Sequence, residues 1–233
     1  MSNTISIASP SMLTLAINQA TSPVPVIIAP HLISSSCKLE IDPAIDGITD
    51  QSGNANNLTN LGTTSGTGIG GQPSTEFDGI SQYISSASNI SVFVTAAAWT
   101  IYVTFKDTGS PADAGPPYFS DATLLGDSNG AAGGYIMVAS SPTKLRFGRS
   151  TTTPANVDGL APTIAAGTIY RAIFKYDGTK LYVSINGGAF DSGTTAASIA
   201  SLTHALRIGA NQIGAAKYFK GSMGVRGIFN TAL

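Results

Sequence analysis

The chain has 233 residues, a formal net charge of −1 and 11% charged side chains, against roughly 25% in an average globular domain. Lysines and arginines are scattered, so the sequence lacks the positive field that steers a protein to nucleic acid or an anionic membrane, and neither is expected as a partner. A surface this poor in charge is typical of a protein that remains in contact with neighbouring molecules.

The first predicted element is an extended N-terminal arm, residues 1–36, which contains no charged side chain and is broken by four prolines. Its apolar and polar residues alternate with period two, which favours extended strand over helix. Such an arm packs either on its own domain or on a neighbour, and strand addition to a neighbour suits it better. We therefore expect a homo-oligomer, with a trimer favoured. The predicted assembly contacts are Ile5, Ile7, Leu13, Leu15, Ile17, Val26, Ile27 and Ile28.

The same region predicts no secretory signal peptide, because the first basic residue is Lys38 and a signal peptide begins with a basic segment. The apolar stretch at 24–29 is too short to cross a bilayer. We expect synthesis in a host cytoplasm without export. The single cysteine, Cys37, excludes an intrachain disulfide and is interpreted as a small buried apolar residue.

Residues 37–233 are predicted to form one all-β domain, a two-sheet antiparallel jelly-roll sandwich. Its short segments are rich in β-branched and aromatic residues, with turn formers close by. Asp177-Gly178 predicts a type I′ hairpin, and Asn186-Gly187-Gly188 closes the next turn. One short helix is allowed at 194–205. The clearest predicted strands are 99–106, 123–126, 135–139, 144–149, 169–176, 180–185, 205–209 and 225–229.

Several blocks together resemble laminin-G-like (concanavalin-like) jelly-roll domains. They are DQSGNANN at 50–57, FDGISQY at 77–83, WTIYVTF at 99–105, YDGTKLYVSING at 176–187, LRIG at 206–209 and the ending at 219–233. The resemblance implies the sandwich fold but not one function. Some such domains bind calcium. Here Gln82 and Gly224 stand where the family often has acidic residues, which weakens that expectation.

Catalytic chemistry is not predicted. Glycoside hydrolases of related fold need two positioned carboxylates, and Glu40 with Asp42, on one strand face, is the nearest approach; we interpret them as a solvated or edge-protecting pair. His31 and His204 adjoin no nucleophile motif. No cofactor is expected. Calcium remains an alternative for one oxygen-rich segment, although turn formation explains those side chains better. They are Asp42, Asp46, Asp50, Asn54 and Asn56.

Two glycine-rich stretches, 66–71 and 130–134, are interpreted as loops, since neither has phosphate-binding spacing. Four aromatic residues on strands are assigned to the core: Trp99, Phe105, Tyr170 and Phe174. Tyr118 and Phe119, in the predicted loop 109–120, are the candidate exposed ligand contacts.

The leading hypothesis is a non-enzymatic virion structural protein, a capsid decoration, cement or other exterior phage protein located in the virion. Laminin-G-like domains are frequent in phage structural genes, so the resemblance implies this role. Its partners would be other virion proteins, the major capsid protein above all. The alternative is a carbohydrate-binding module of a bacterial surface or secreted protein, with a glycan as ligand.

Overall fold

A computed structural model describes residues 36–87, 98–108, 119–121, 137–138, 146–149, 155–158, 165–190, 194–195, 206–210 and 218–232. The predicted arm therefore lies outside the described residues, apart from Ser36. So do its assembly contacts, both histidines, Tyr118, the strand at 123–126 and the glycine-rich stretch at 130–134.

Within the described ranges every regular element is a strand, which confirms the all-β prediction. Period-two alternation explains the long strands, since alternate residues face the core and solvent. The strands in the described ranges are β1 (Cys37–Ile41), β2 (Leu58–Leu61), β3 (Thr64–Ile69), β4 (Gln72–Asp78), β5 (Tyr83–Ser86), β6 (Trp99–Asp107), β7 (Phe119–Asp121), β8 (Met137–Val138), β9 (Arg146–Arg149), β10 (Ala155–Asp158), β11 (Ile169–Tyr176), β12 (Lys180–Ile185), β13 (Thr194–Thr195), β14 (Leu206–Ile208) and β15 (Lys220–Phe229).

One layer is an eight-stranded antiparallel sheet in the order β13-β12-β11-β6-β15-β4-β3, with β1 also paired to β15. A four-stranded sheet, β2-β5-β14-β7, packs against it, and a three-stranded sheet, β10-β9-β8, lies beside β12. The first described strand thus pairs with the last, and the backbone N–H of Asn230 donates to the carbonyl of Ser36 at 2.9 Å. This pairing agrees with the jelly-roll expectation.

The core lies between the eight-stranded and four-stranded sheets. Trp99, Phe105, Tyr170 and Phe174, the predicted core aromatics, are at most 3% exposed. They meet Ile84 and other residues of the four-stranded sheet in one continuous cluster. Burial of this apolar surface stabilises the sandwich by about 25 cal/mol per Å². Cys37 is 1% exposed, as predicted.

The first of the two predicted hairpin turns differs from expectation in type, and the second closes where the sequence predicts it. The turn after β11 closes with the N–H of Asp177 donating to the carbonyl of Lys180, and Gly178 has φ of +103°. The central residues of this turn are thus Gly178 and Thr179, not the predicted pair Asp177 and Gly178. A type I′ turn needs positive φ at both central residues, and Thr179 is not in that region. The I′ assignment there is therefore wrong. The next turn is of type I′, because its central residues, Asn186 (φ +53°) and Gly187 (φ +76°), both have positive φ.

Three other predictions need correction. The stretch 66–71 is not a loop, since Gly66 and Gly68 lie in β3 and only Gly70-Gly71 turns the chain into β4. The helix allowed at 194–205 is wrong where it can be seen, because Thr194–Thr195 is strand β13. The clearest predicted strands do not include β1 to β5, β7, β10 or β13.

Candidate functional site

The oxygen-rich segment after β1 is a network of turns. The Asp50 carboxylate accepts hydrogen bonds from three backbone N–H groups, those of Glu40 (3.1 Å), Ser52 (2.9 Å) and Asn56 (2.9 Å). The amides of Asn54 and Asn56 donate to the carbonyls of Cys37 and Lys38. These side chains therefore fasten the segment to β1, as the turn interpretation predicts.

Asp46 and Asp42 act in the same way. Although burial opposes the effect, hydrogen bonds from Thr49 and Ile48 hold the pKa of Asp46 below its usual value. The N–H of Ala44 donates to Asp42 Oδ1 at 2.8 Å. Among the residues that the structure describes, no group of three or more His, Cys, Asp or Glu side chains is arranged to hold a metal ion.

Of the two interpretations of Glu40 and Asp42, a solvated or an edge-protecting pair on one strand face, the solvated one is wrong. Glu40 lies in β1 and is 6% exposed, whereas Asp42 follows the strand and begins a turn. The hydroxyl of Tyr102 lies 3.5 Å from Glu40 Oε1. Burial, and the negative charge of Glu40, raise the pKa of Tyr102 above its usual range.

A polar depression lies between the 43–48 segment and strands β2 to β4. Its interior is small, about 10 Å³, which is roughly the room that one water molecule needs, and it opens to solvent. Apart from Pro43, Gly47 and Ile48, its lining consists of polar side chains: Asp46, Asn60, Thr63, Thr64, Ser65, Ser74 and Thr75. We call this feature the hydroxyl pocket.

Arg226 lies directly behind the hydroxyl pocket and is 1% exposed. Its Nη2 donates to the carbonyl of Gly47 at 2.9 Å, and its Nη1 to that of Gly224 at 3.1 Å. Both nitrogens also lie 3.4 Å from Thr75 Oγ1. Burial lowers the pKa of Arg226 to about 10, while the negative charge of Asp42 acts in the opposite direction.

This arrangement determines what the pocket can bind. Thr75 Oγ1 accepts from the guanidinium of Arg226, so its own hydroxyl hydrogen is available to another acceptor. Asp46 offers further carboxylate lone pairs, and the hydroxyls of Thr64 and Ser65 make no side-chain hydrogen bond within the described ranges. Donors and acceptors thus lie side by side, as a sugar hydroxyl requires. Asp46 is the one carboxylate in this lining, whereas glycoside hydrolysis needs two.

A second polar and aromatic feature lies on the four-stranded sheet. The guanidinium carbon of Arg207 lies 4.6 Å from the ring centre of Tyr83, and the rings of Tyr83 and Tyr218 are 6.4 Å apart. We call these three residues the Arg207 platform.

Neither feature is among the ligand contacts that the sequence indicates. Phe119 lies in β7 with its backbone opposite Ile208, not in a loop, and its partner Tyr118 is outside the described residues; their role as ligand contacts stays a prediction. The hydroxyl pocket was missed because its residues flank the glycines that were interpreted as a loop. The run Thr63-Thr64-Ser65 was the available signal.

The family motifs have a structural explanation. Asp50, Asp78 and Asp177 belong to three of the matching blocks, and each accepts at least two backbone N–H groups of its own turn or a neighbouring strand. For Asp177 the hydrogen bonds from Lys180 and Thr179 hold the pKa well below its usual value. The motifs therefore fix turns and do not identify a ligand.

In the described part of the chain, no helix has the length and apolar character needed to span a membrane.

Comparison with known proteins gives the family and the fold. The sequence profile of the concanavalin A-like lectin/glucanases superfamily, Laminin_G_3, matches residues 77–233. No curated protein sequence matches the chain significantly.

Among solved structures, domain 4 of AbnA, a GH43 extracellular arabinanase from Geobacillus stearothermophilus in complex with arabinotriose, is similar with a TM-score of 0.65 and 15% identity, over 85% of this chain and 94% of that one. The binding domain of Paraclostridial Mosquitocidal Protein 1 has a TM-score of 0.64 and 14% identity, over 86% and 50%. The binding domain of Botulinum Neurotoxin DC in complex with SialylT has a TM-score of 0.60 and 12% identity, over 86% and 49%. This chain thus spans about half of each of the two toxin binding domains.

Proposed function

This chain belongs to the concanavalin A-like lectin/glucanase superfamily, and on that premise we propose that it is a non-catalytic glycan-binding domain whose hydroxyl pocket receives a hydroxyl group of a neutral sugar residue lying across its mouth. The observation that carries the proposal is that one open pocket contains both a donor and an acceptor. The donor is the Thr75 hydroxyl, whose oxygen accepts from Arg226, and the acceptor is the Asp46 carboxylate.

The chemistry of the pocket favours a neutral ligand. The positive charge of Arg226 lies behind the wall, and Asp46 contributes a negative charge at the lining. An anion would meet Asp46 and a cation would meet Arg226, so neither is favoured over an uncharged group. A polyhydroxylated sugar matches such a mixed set, because each hydroxyl both donates and accepts.

The solved structures that resemble this chain support the same function. One is a domain of an arabinanase in complex with arabinotriose, and another is a toxin binding domain in complex with SialylT. These likenesses favour the carbohydrate-binding alternative over a virion structural role. The virion location, the capsid partners and the oligomeric state stay predictions, as does the division into an arm (1–36) and a domain (37–233).

The test is a titration of neutral oligosaccharides, arabino-oligosaccharides included, by isothermal calorimetry. Ser65 is exposed on β3 and lines the pocket, so Ser65→Trp fills the pocket without disturbing the core. Thr67→Trp is the matched control, because Thr67 is equally exposed on the same strand and does not line the pocket.

We expect Ser65→Trp to abolish binding and Thr67→Trp to leave it unchanged. Ser65→Ala, which removes one neutral hydrogen bond, should weaken binding by roughly 2–12-fold. If no neutral glycan binds, or if the two tryptophan variants bind equally well, the proposal fails.

A further inference from the structure

The outer face of the four-stranded sheet presents a cation beside aromatic rings. Leu206 and Ile208 of β14 are buried in the core, so Arg207 between them faces outward. On the neighbouring strand β5, Ile84 is buried and Tyr83 faces outward by the same alternation. Arg207 and Tyr83 are both half-buried, as is Tyr218.

The guanidinium of Arg207 is held against an aromatic ring and has no polar partner in the described part of the chain. It lies over the ring of Tyr83 at 4.6 Å, within the range of a cation–π attraction. Its Nε is buried with no hydrogen-bond partner. Within the described ranges Nη1 and Nη2 also make no hydrogen bond or ion pair. A guanidinium has five N–H donors in a fixed planar geometry, so the guanidinium of Arg207 can donate hydrogen bonds to a ligand.

The shape and charge of the Arg207 platform indicate which acceptor fits. A guanidinium binds a planar carboxylate through two parallel hydrogen bonds. The platform supplies one positive charge, which balances one carboxylate but not a dianionic phosphate. The rings of Tyr83 and Tyr218, 6.4 Å apart and inclined by 40°, supply apolar surface beside the guanidinium, on which the carbon skeleton of a sugar ring can pack.

We propose that the Arg207 platform binds the carboxylate of an acidic sugar residue, with the sugar ring against Tyr83 and Tyr218. The ligand class rests on the proposed glycan-binding function, but the platform contains no residue of the hydroxyl pocket. It gives the domain a preference for glycans that carry a carboxylate over their neutral counterparts.

The test compares three oligosaccharides of equal length on the full chain, ending in glucuronic acid, in glucose, or in glucose 6-sulfate. Affinities are measured for the wild type, Arg207→Gln, Arg207→Lys and Tyr83→Leu. Arg171→Gln is the matched control, because it removes the same charge from an exposed site on the outer face of the eight-stranded sheet. Thermal unfolding checks that each variant is folded.

We expect the wild type to prefer the glucuronic acid probe over the glucose probe by at least about tenfold, as two charge-assisted hydrogen bonds imply. Arg207→Gln should remove that preference, and Arg207→Lys should retain only part of it because lysine has no planar fork. Tyr83→Leu should weaken binding of the glucuronic acid probe and leave that of the glucose probe unchanged. Arg171→Gln should change nothing.

Equal affinity for the acidic and neutral probes would overturn the carboxylate assignment, and so would a preference that survives Arg207→Gln. Stronger binding of the sulfate probe would reassign the platform to sulfated sugars and overturn it as well. The pocket is judged separately, since Ser65→Trp should abolish binding of neutral oligosaccharides and leave the effect of Arg207→Gln on the acidic probe intact.

Discussion

Replacing Asp50 by alanine tests whether the oxygen-rich segment after β1 is a set of turn formers or a cation site. Asp50 is 8% exposed, and its carboxylate accepts from the backbone N–H groups of Glu40, Ser52 and Asn56. The bonds from Glu40 and Ser52 are buried, so water cannot replace the lost acceptor there.

The magnitude follows from those two bonds. A hydrogen bond to a charged acceptor contributes about 1.5–3 kcal/mol, so Asp50→Ala should lower the free energy of unfolding by about 3–6 kcal/mol, a large part of the roughly 5–15 kcal/mol of a whole domain. For a chain of this size the melting temperature should fall by about 6–24 °C. Asp50→Asn keeps one acceptor oxygen and should lie between Asp50→Ala and the wild type.

Asp42→Ala is the control, because Asp42 accepts one exposed N–H, that of Ala44, and its loss should cost no more than about 1 kcal/mol. The assay is chemical denaturation followed by tryptophan fluorescence, since Trp99 is buried in the core, with and without millimolar CaCl₂. Two results would refute the reasoning. One is a loss below about 1 kcal/mol for Asp50→Ala. The other is a calcium-induced gain near 2.7 kcal/mol in the wild type, as expected when calcium is present at about 100 times its dissociation constant.

Four further predictions concern the core, the thiol, catalysis and the arm. Phe174→Ala should lower the free energy of unfolding by about 3–5 kcal/mol, measured in urea, because Phe174 is fully buried. Burial raises the pKa of Cys37 to about 12, so the thiol of the folded protein should resist alkylation at pH 8. Because the folded state holds the thiol proton more tightly than the unfolded state, the contribution of Cys37 to the free energy of unfolding should be fully present below pH 9 and should decline towards pH 12. Wild type and Glu40→Gln should both fail to release reducing sugar from β-glucans. If the wild type releases reducing sugar and Glu40→Gln does not, the protein is catalytic. Deletion of residues 2–30 should leave a folded domain that no longer self-associates in sedimentation experiments; unchanged association would exclude the arm as the assembly contact.

Strands with regular alternation were predictable from the sequence, and those with close backbone contacts were not. β11 and β12 lie at the predicted residues because apolar and polar positions alternate through them. β3 was missed because its glycines indicate a loop. They lie in a strand because the Glu76 side chain packs over them, so that a Cβ at Gly66 would lie 2.5 Å from the Glu76 carboxylate.

The hydroxyl pocket depends on a register that the sequence does not reveal. Simple alternation places Arg226 on the face opposite to Met223, that is, on the outside. β15 contains an irregularity between these two residues, after which Arg226 pairs with Val103, whose side chain faces the core. The extra residue turns the guanidinium inward behind Thr75. A bulge of this kind changes the face of every later side chain, and no feature of the sequence specifies it.

The central claim is that a neutral sugar binds across the mouth of the hydroxyl pocket, and amide chemical shifts during titration with a neutral oligosaccharide test it most directly. The account predicts saturable shifts at the amides of Asp46, Gly47, Thr64, Ser65 and Thr75, all of which line the pocket, and their disappearance in Ser65→Trp but not in Thr67→Trp. Saturable shifts confined to residues away from this lining, or shifts that persist in Ser65→Trp, would contradict it.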